Sequence, residues 1–310
     1  MKINYRLISV LAAIFILISY KPILSLERNP LKAETITITD DWGKEVIIKK
    51  YPQRIVSLSP SNTEILFALG LRDKIIGVTD YCDYPPQAKK VDKIGSYSAP
   101  NIEKIVAKEP DLVLASFGNK EESITTLKKL GLIVVGLNPK NIEDILKDIQ
   151  LVGKVTGREE EAKKIISSMK KRVEEVKSRN VKVSPQEKVK VLYLVWYPEL
   201  WAAGKGTYPN ELIRIAGGKN IVGDIEGWKI ISKETVIARD PNVIICSGMG
   251  GKSADIRKKI MKDTELQKIN AVKDNRVYAI IDADIIELPG PRIVEGLEKI
   301  EECLHQYDKH

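Results

Sequence analysis

Two histidines, His305 and His310, make up the whole imidazole complement of the chain, and both lie at its C-terminal end. Ser-His and Cys-His nucleophile systems need an imidazole held beside the nucleophile, so that chemistry is excluded. Histidine-built zinc and manganese sites fall on the same ground. The three cysteines, Cys82, Cys246 and Cys303, are odd in number and unrelated in spacing, so neither a disulfide framework nor a metal cluster is expected. Cys246, inside NVIICS, reads as a small buried hydrophobe, whereas Cys82, in a loop, is the one expected at the surface. No phosphate loop, dinucleotide fingerprint or HExxH motif occurs. Carboxylate pairs remain able to do acid–base work, but no pair stands out by its spacing.

Aromatic side chains carry the remaining signal. Trp196, Tyr197, Trp201, Tyr208 and Trp228 cluster after a strand end in the second half, and Tyr81, Tyr84 and Tyr97 occupy loops of the first. Any one of them could fill a gap under a loop. Together they lie where helix–strand units of open α/β sheets place their ligand loops. Flat faces on opposing sides suit a large planar ligand better than a sugar phosphate or an ion.

A second signal is repetition. EKIVAKEPDLVLAS, from Glu103 to Ser116, returns as ETVIARDPNVIICS, from Glu234 to Ser247, with Glu, Ala, Pro and Ser shared and apolar matched to apolar. Each copy opens with a glutamate in the first turn of a helix, after Asn101 and Ser232 as N-caps. Alone, such a glutamate complements the helix dipole for about 0.3–1 kcal/mol. Its return at the same place points to two structurally duplicate halves.

The elements that must position these residues alternate between strand and helix, so the fold class is α/β, with mostly parallel sheets covered by helices. Residues 1–30 form a targeting segment: Lys2 and Arg6 precede the apolar run LISVLAAIFILISY. No small-x-small site follows it and no cysteine, which disfavours a lipoprotein and leaves a signal peptide or an N-terminal anchor. Either places the body of the protein outside the cytoplasm. Residues 34–140 read as a first lobe, opening with a hairpin about Asp41-Trp42-Gly43. It continues with QRIVSLSP as a strand, and a helix from Ser61 with Glu64 as its capping box and Gly70 as its stop. Residues 141–180 are helical apart from a break near Gly157, the second part starting from Thr156 as N-cap with Glu159 at N3. Residues 186–310 repeat the pattern: strand KVKVLYLVW, an aromatic loop, helix PNELIRIAGG, the second repeat copy, a helix over 253–269, strand RVYAIID and a terminal helix opened by Pro291. Net charge is +8, but Lys and Glu are interspersed and no basic run carries aromatics, so nucleic acid is not an expected partner.

RIVSLSPSNTEILFALGL, GVTDYCDYPP, NIEKIVAKEPDLVLAS and GPRIVEGLE resemble the extracytoplasmic solute-binding proteins that feed ABC importers for cobalamin, ferric siderophores and haem, in order and spacing from about residue 35 onward. The cobalamin-binding members are the most similar by motif. The resemblance implies two α/β lobes joined by one long rigid helix, ligand held between them, no catalysis and no resident cofactor. It implies a monomer whose Glu103 and Glu234 dock on an ABC permease dimer. As ligand contacts it implies Tyr81, Tyr97 (where cobalamin binders carry tryptophan), Trp201, Trp228, Asp284 and Arg292. A family tryptophan falls on Ser116 and a family basic contact on Leu288. A corrinoid is the expected ligand, a ferric siderophore or haem the second choice. A cofactor-processing enzyme or a sensor on the same scaffold is the reading from another class.

Overall fold

A computed structural model describes residues 35–180, 184, 186–248 and 252–305. The segment expected as signal or anchor, residues 1–30, lies outside them, and among the described residues no helix is long and apolar enough to cross a membrane. The alternation about Trp42 forms the expected hairpin, β1 (Ile36–Thr39) antiparallel to β2 (Glu45–Ile48). After it come β3 (Ile55–Ser57), helix α1 (Pro60–Ala68), β4 (Ile75–Val78), α2 (Ile102–Ala107), β5 (Leu112–Ser116), α3 (Glu121–Lys129) and β6 (Val134–Leu137). The four strands form one parallel sheet in the order β4-β3-β5-β6. Every residue of β5 and β6 is buried, as expected of strands covered on both faces. The hairpin is pinned to this sheet by Asp40, whose carboxylate accepts from the Lys44 amide at 2.8 Å and the Gly136 amide at 3.2 Å. Trp42 lies flat on Gly136, where a Cβ would come within 2.2 Å of the ring.

The Ser61–Glu64 capping box does not form. Ser59 is the N-cap, Pro60 takes the first turn, and Glu64 is buried because it turns away to a distant arginine. Cys82 is not at the surface either: it is fully buried, its thiol 3.2 Å from the Thr63 hydroxyl and 3.1 Å from that of Thr79.

Two helices come next, α4 (Ile142–Thr156) and α5 (Glu159–Asn180), broken by left-handed Gly157 at φ 69°. Thr156 closes α4 rather than capping α5, its hydroxyl donating back to the Val152 carbonyl at 2.6 Å. The 22 residues of α5 make a rod of roughly 33 Å.

The second sheet collects β7 (Lys190–Trp196), β8 (Leu200–Ala203), β9 (Lys219–Asn220), β10 (Trp228–Ile231), β11 (Val243–Cys246) and β12 (Val277–Ala279), in the order β10-β8-β7-β11-β12 with β9 beside β7. Pairing is parallel along β7, β11, β12 and β9, but β8 runs antiparallel to both its neighbours. The segment expected as an aromatic loop is therefore partly a ribbon, with Trp201 opposite Ile230. Its helices are α6 (Tyr208–Ile215), α7 (Lys233–Arg239), α8 (Ser253–Lys262), α9 (Asn270–Lys273), α10 (Asp284–Glu287) and α11 (Ile293–His305). The single helix expected over 253–269 stops at Lys262. There the Asp263 carboxylate is drawn aside by the Lys233 ammonium at 2.8 Å and the Tyr197 hydroxyl at 2.8 Å. On α11, Glu298 and Glu301 take bidentate pairs from Arg172 and Arg179 of α5, which fastens the rod to the second lobe.

The repeat is a repeat in three dimensions. In each copy a short helix ends on a non-glycine residue with positive φ, Glu109 at 46° and Asp240 at 42°. The next side chain but one, Asp111 or Asn242, accepts from the main chain at the start of the neighbouring strand: from the Arg54 amide at 2.8 Å and the Lys190 amide at 2.9 Å. One hydrophobic core runs through Ile55 and Leu112 of the first sheet, Ile149 and Val173 of α4 and α5, and Val191 and Ile245 of the second.

Within this core Asp148 of α4 is buried, and burial, followed by the neighbouring Asp41 carboxylate, pushes its pKa up to about 9. An unfolded aspartate titrates near 4, so the folded chain binds the extra proton between roughly pH 4 and pH 9 and stability from this group falls as pH rises through that window. Asp148→Asn is expected to raise stability at pH 8 by about 1–3 kcal/mol and by less at pH 5, read from thermal melts at the two pH values.

Candidate functional site

A cavity of about 870 Å³ opens between the two sheets. Its first wall is made by residues just past the carboxyl ends of the parallel strands: Ser59 after β3, Tyr81 after β4, Phe117 after β5 and Pro139 after β6. The second lobe supplies Gly248 after β11 and Ile281 after β12, with Tyr208 at the start of α6 and Trp228 at the start of β10. Both sheets thus aim their loops at one space, the usual ligand position of open α/β folds.

Of the residues expected to touch ligand, Tyr81, Tyr97, Trp228 and Asp284 are brought together in the lining. Tyr81 is 72% exposed and free to close on a ligand. Tyr97 is held: its hydroxyl is 3.2 Å from that of Ser116, and Gly118 leaves it space, since a Cβ there would sit 2.2 Å from the phenolic oxygen. Buried Asn119 fixes this corner by donating to the Tyr97 carbonyl at 2.6 Å and the Leu58 carbonyl at 2.9 Å, and accepting from the Ser116 amide at 2.7 Å. Trp228 stands edge-on to buried Tyr193, centroids 6.3 Å apart. Tyr193 in turn donates to Glu287 Oε1 at 2.9 Å, and Ser247 donates to the same oxygen. A buried polar chain therefore orients the tryptophan.

Trp201 and Arg292 lie outside the lining. Trp201 shares a face of the β8–β10 ribbon with Trp228 but pairs with Ile230, one step further along it. Arg292 is buried, its Nε and Nη2 donating to the two oxygens of Glu64 at 3.0 and 2.6 Å, its Nη1 to Asp282 at 2.5 Å. Its guanidinium carbon also lies 3.6 Å from the Tyr84 ring centroid. Each of its three nitrogens already donates within the protein, so it brackets the two lobes.

Phe117, 60% exposed, and Ile281, 87% exposed, are lining residues that sequence reasoning missed. Their signal was position alone, directly beyond buried strands. Asp83, Asp282 and Glu287 were missed for want of any pattern. Burial raises the carboxyl pKa of Asp284 and of Glu287, and for Asp284 the nearby Asp282 and Asp83 add to it.

Glu103 and Glu234 are exposed in the first turns of α2 and α7, whose N-caps are the expected ones: Asn101 accepts from the Lys104 amide at 2.9 Å and Ser232 from the Thr235 amide at 3.2 Å. Local hydrogen bonds to its own backbone and to Ser232 hold the Glu234 carboxyl below the ordinary range. Lys233 adds only the last of these contributions, because its ammonium is engaged with Asp263 and Glu265 at 2.8 and 2.7 Å.

Residues 55–283 match the family of periplasmic binding proteins. This chain belongs to that family. Its fold, two helix-flanked sheets with a cavity between them, is the one the resemblance implied. An uncharacterized ABC transporter substrate-binding lipoprotein of Bacillus subtilis is 36% identical over 276 residues, 87% of this chain and 85% of the relative. Among solved structures, a periplasmic solute-binding protein of Staphylococcus epidermidis, put forward as iron-binding, is 34% identical with a TM-score of 0.72, covering 83% of this chain and 100% of that one. The periplasmic vitamin B12 binding protein of Vibrio cholerae is 28% identical with a TM-score of 0.72, covering 84% and 99%. The periplasmic binding protein is accordingly a substrate-binding protein, and the relatives share its function class while differing in ligand.

Proposed function

We propose that this periplasmic binding protein captures a corrinoid in the cavity between its lobes and delivers it, outside the cytoplasm, to an ABC importer that it meets through Glu103 and Glu234. One observation carries the ligand: the cavity presents large aromatic faces, Tyr81, Tyr97, Phe117 and Trp228, and among the described residues no arginine lines it. Haem propionates and most ferric siderophores are anionic and call for guanidinium or ammonium partners. A corrinoid is broad, flat and rimmed with amides, whose N–H groups suit the carboxylates of this cavity. Lys205 and Lys229, the other cations near the aromatic segment, are outside the lining as well. The Vibrio relative supports the corrinoid; the Staphylococcus relative favours an iron chelate and is the reason to test one.

The test is a titration of the purified protein with cyanocobalamin, haem and a ferric siderophore, followed by tryptophan fluorescence and calorimetry. Saturable binding of the corrinoid at one site is expected. Trp228→Ala is expected to weaken it by about tenfold to a hundredfold, the loss of one large aromatic anchor. Binding of haem or siderophore alone would keep the importer and discard the corrinoid.

A further inference from the structure

The cavity is lopsided in charge. Among the described residues, Asp83, Asp282, Asp284 and Glu287 line it against one lysine, Lys140. That lysine is engaged locally, its Nζ donating to Asn138 Oδ1 at 2.7 Å and lying 5.0 Å from the Phe117 ring centroid. Asp282 shares the Arg292 guanidinium with Glu64, and Glu287 accepts from Ser247 and Tyr193. Asp83, on the β4 loop, and Asp284, opening α10, have no ion-pair partner among the described residues and come from opposite lobes. Burial first, then the Asp282 and Asp83 carboxylates, push the Asp284 carboxyl upward, so like charge from across the cavity bears on it. A cation placed between them removes that repulsion, and the surrounding aromatic faces favour a cation as well.

Resting on the corrinoid reading above, we propose that the cavity selects among corrinoids by charge, favouring a base-free corrinoid over the complete one. The complete molecule carries a nucleotide loop with an anionic phosphate; the base-free form lacks it and, with matched axial ligands, bears one more positive charge. Asp83 and Asp284 attract that charge and repel the phosphate. The advantage expected is on the order of tenfold in affinity, the Coulomb difference of one charge against two carboxylates across a solvated cleft.

The experiment compares cyanoaquocobinamide with cyanocobalamin on the purified protein. Cobinamide is expected to bind about tenfold tighter in low salt. The ratio is expected to fall toward one between about 0.01 M and about 1 M salt, as the screening length drops from about 30 Å to about 3 Å. In the double variant Asp83→Asn with Asp284→Asn the low-salt ratio is expected to collapse toward one, whatever happens to either affinity alone. The salt series on the unaltered protein stands without the variant, should that fail to fold. Equal binding of the two corrinoids, or a preference indifferent to salt and to both aspartates, overturns the charge selection and leaves the corrinoid reading standing. Failure of both corrinoids where haem or a siderophore binds overturns the two together.

Discussion

Arg292→Met is expected to cost about 3–5 kcal/mol of stability, the usual consequence of leaving one member of a buried ion pair alone. Glu64 would keep its place in α1, 4% exposed at the side chain, with both oxygens stripped of the donors now at 2.6 and 3.0 Å. Even with Arg292 present, burial outweighs the pairing and holds the Glu64 carboxyl above its ordinary value. Without the arginine it rises further, so the variant's deficit is greatest at alkaline pH and shrinks as pH falls and Glu64 takes up a proton. Denaturant melts at pH 5 and pH 8 would show this as a midpoint gap that widens at pH 8. The pair variant Glu64→Leu with Arg292→Met is expected to recover a large part of the loss, because no charge then remains to be buried. If the single change costs under about 1 kcal/mol at pH 8, the bracket between lobes is not a stabilising element.

The second large effect concerns transport. Glu103→Ala with Glu234→Ala is expected to abolish uptake in a reconstituted or cellular transport assay while corrinoid affinity stays within about twofold. Truncating a charge that pairs with a partner across an interface costs roughly 2–5 kcal/mol, so losing both proposed docking carboxylates exceeds what such a complex can lose. Both side chains are exposed and remote from the lining, which is why ligand binding should not notice them. Glu103→Asp with Glu234→Asp, which keeps the charge but shortens the reach, should retain part of the uptake. Full uptake by the alanine pair would remove these glutamates from the interface and favour a binding protein working without an importer.

Much of this architecture is legible in the chain alone, for local reasons. Strand β5 reads as a strand because every residue from Leu112 to Ser116 is buried, and a wholly buried strand must be largely apolar. Helices α2 and α7 announce themselves through Asn101 and Ser232, whose capping bonds span three residues. The duplication could be seen because both copies keep a capping side chain, a turn and apolar positions at the same spacing. The aromatic residues at strand ends followed from α/β topology, which puts carboxyl-end loops of all strands on one side.

Residues far apart in sequence account for most of what the tertiary structure alone decided. Glu64 looked like a cap because a serine stood three residues before it; its true partner is 228 residues away, and no local pattern reports a buried pair of that kind. Cys82 looked exposed because it sits in a loop, but Thr63 of α1 and Thr79 at the start of that loop close over its thiol. Trp201 and Trp228 are equivalent in composition, yet only Trp228 reaches the cavity, since Trp201 stands further out along the β8–β10 ribbon. The acidity of the cavity is the most consequential of these. The whole chain is basic, at +8, and the aspartates that set the sign of the site come from separate loops of both lobes. Charge at a site depends on which side chains share a low-dielectric space, a property of three-dimensional neighbours that the linear order of residues does not carry.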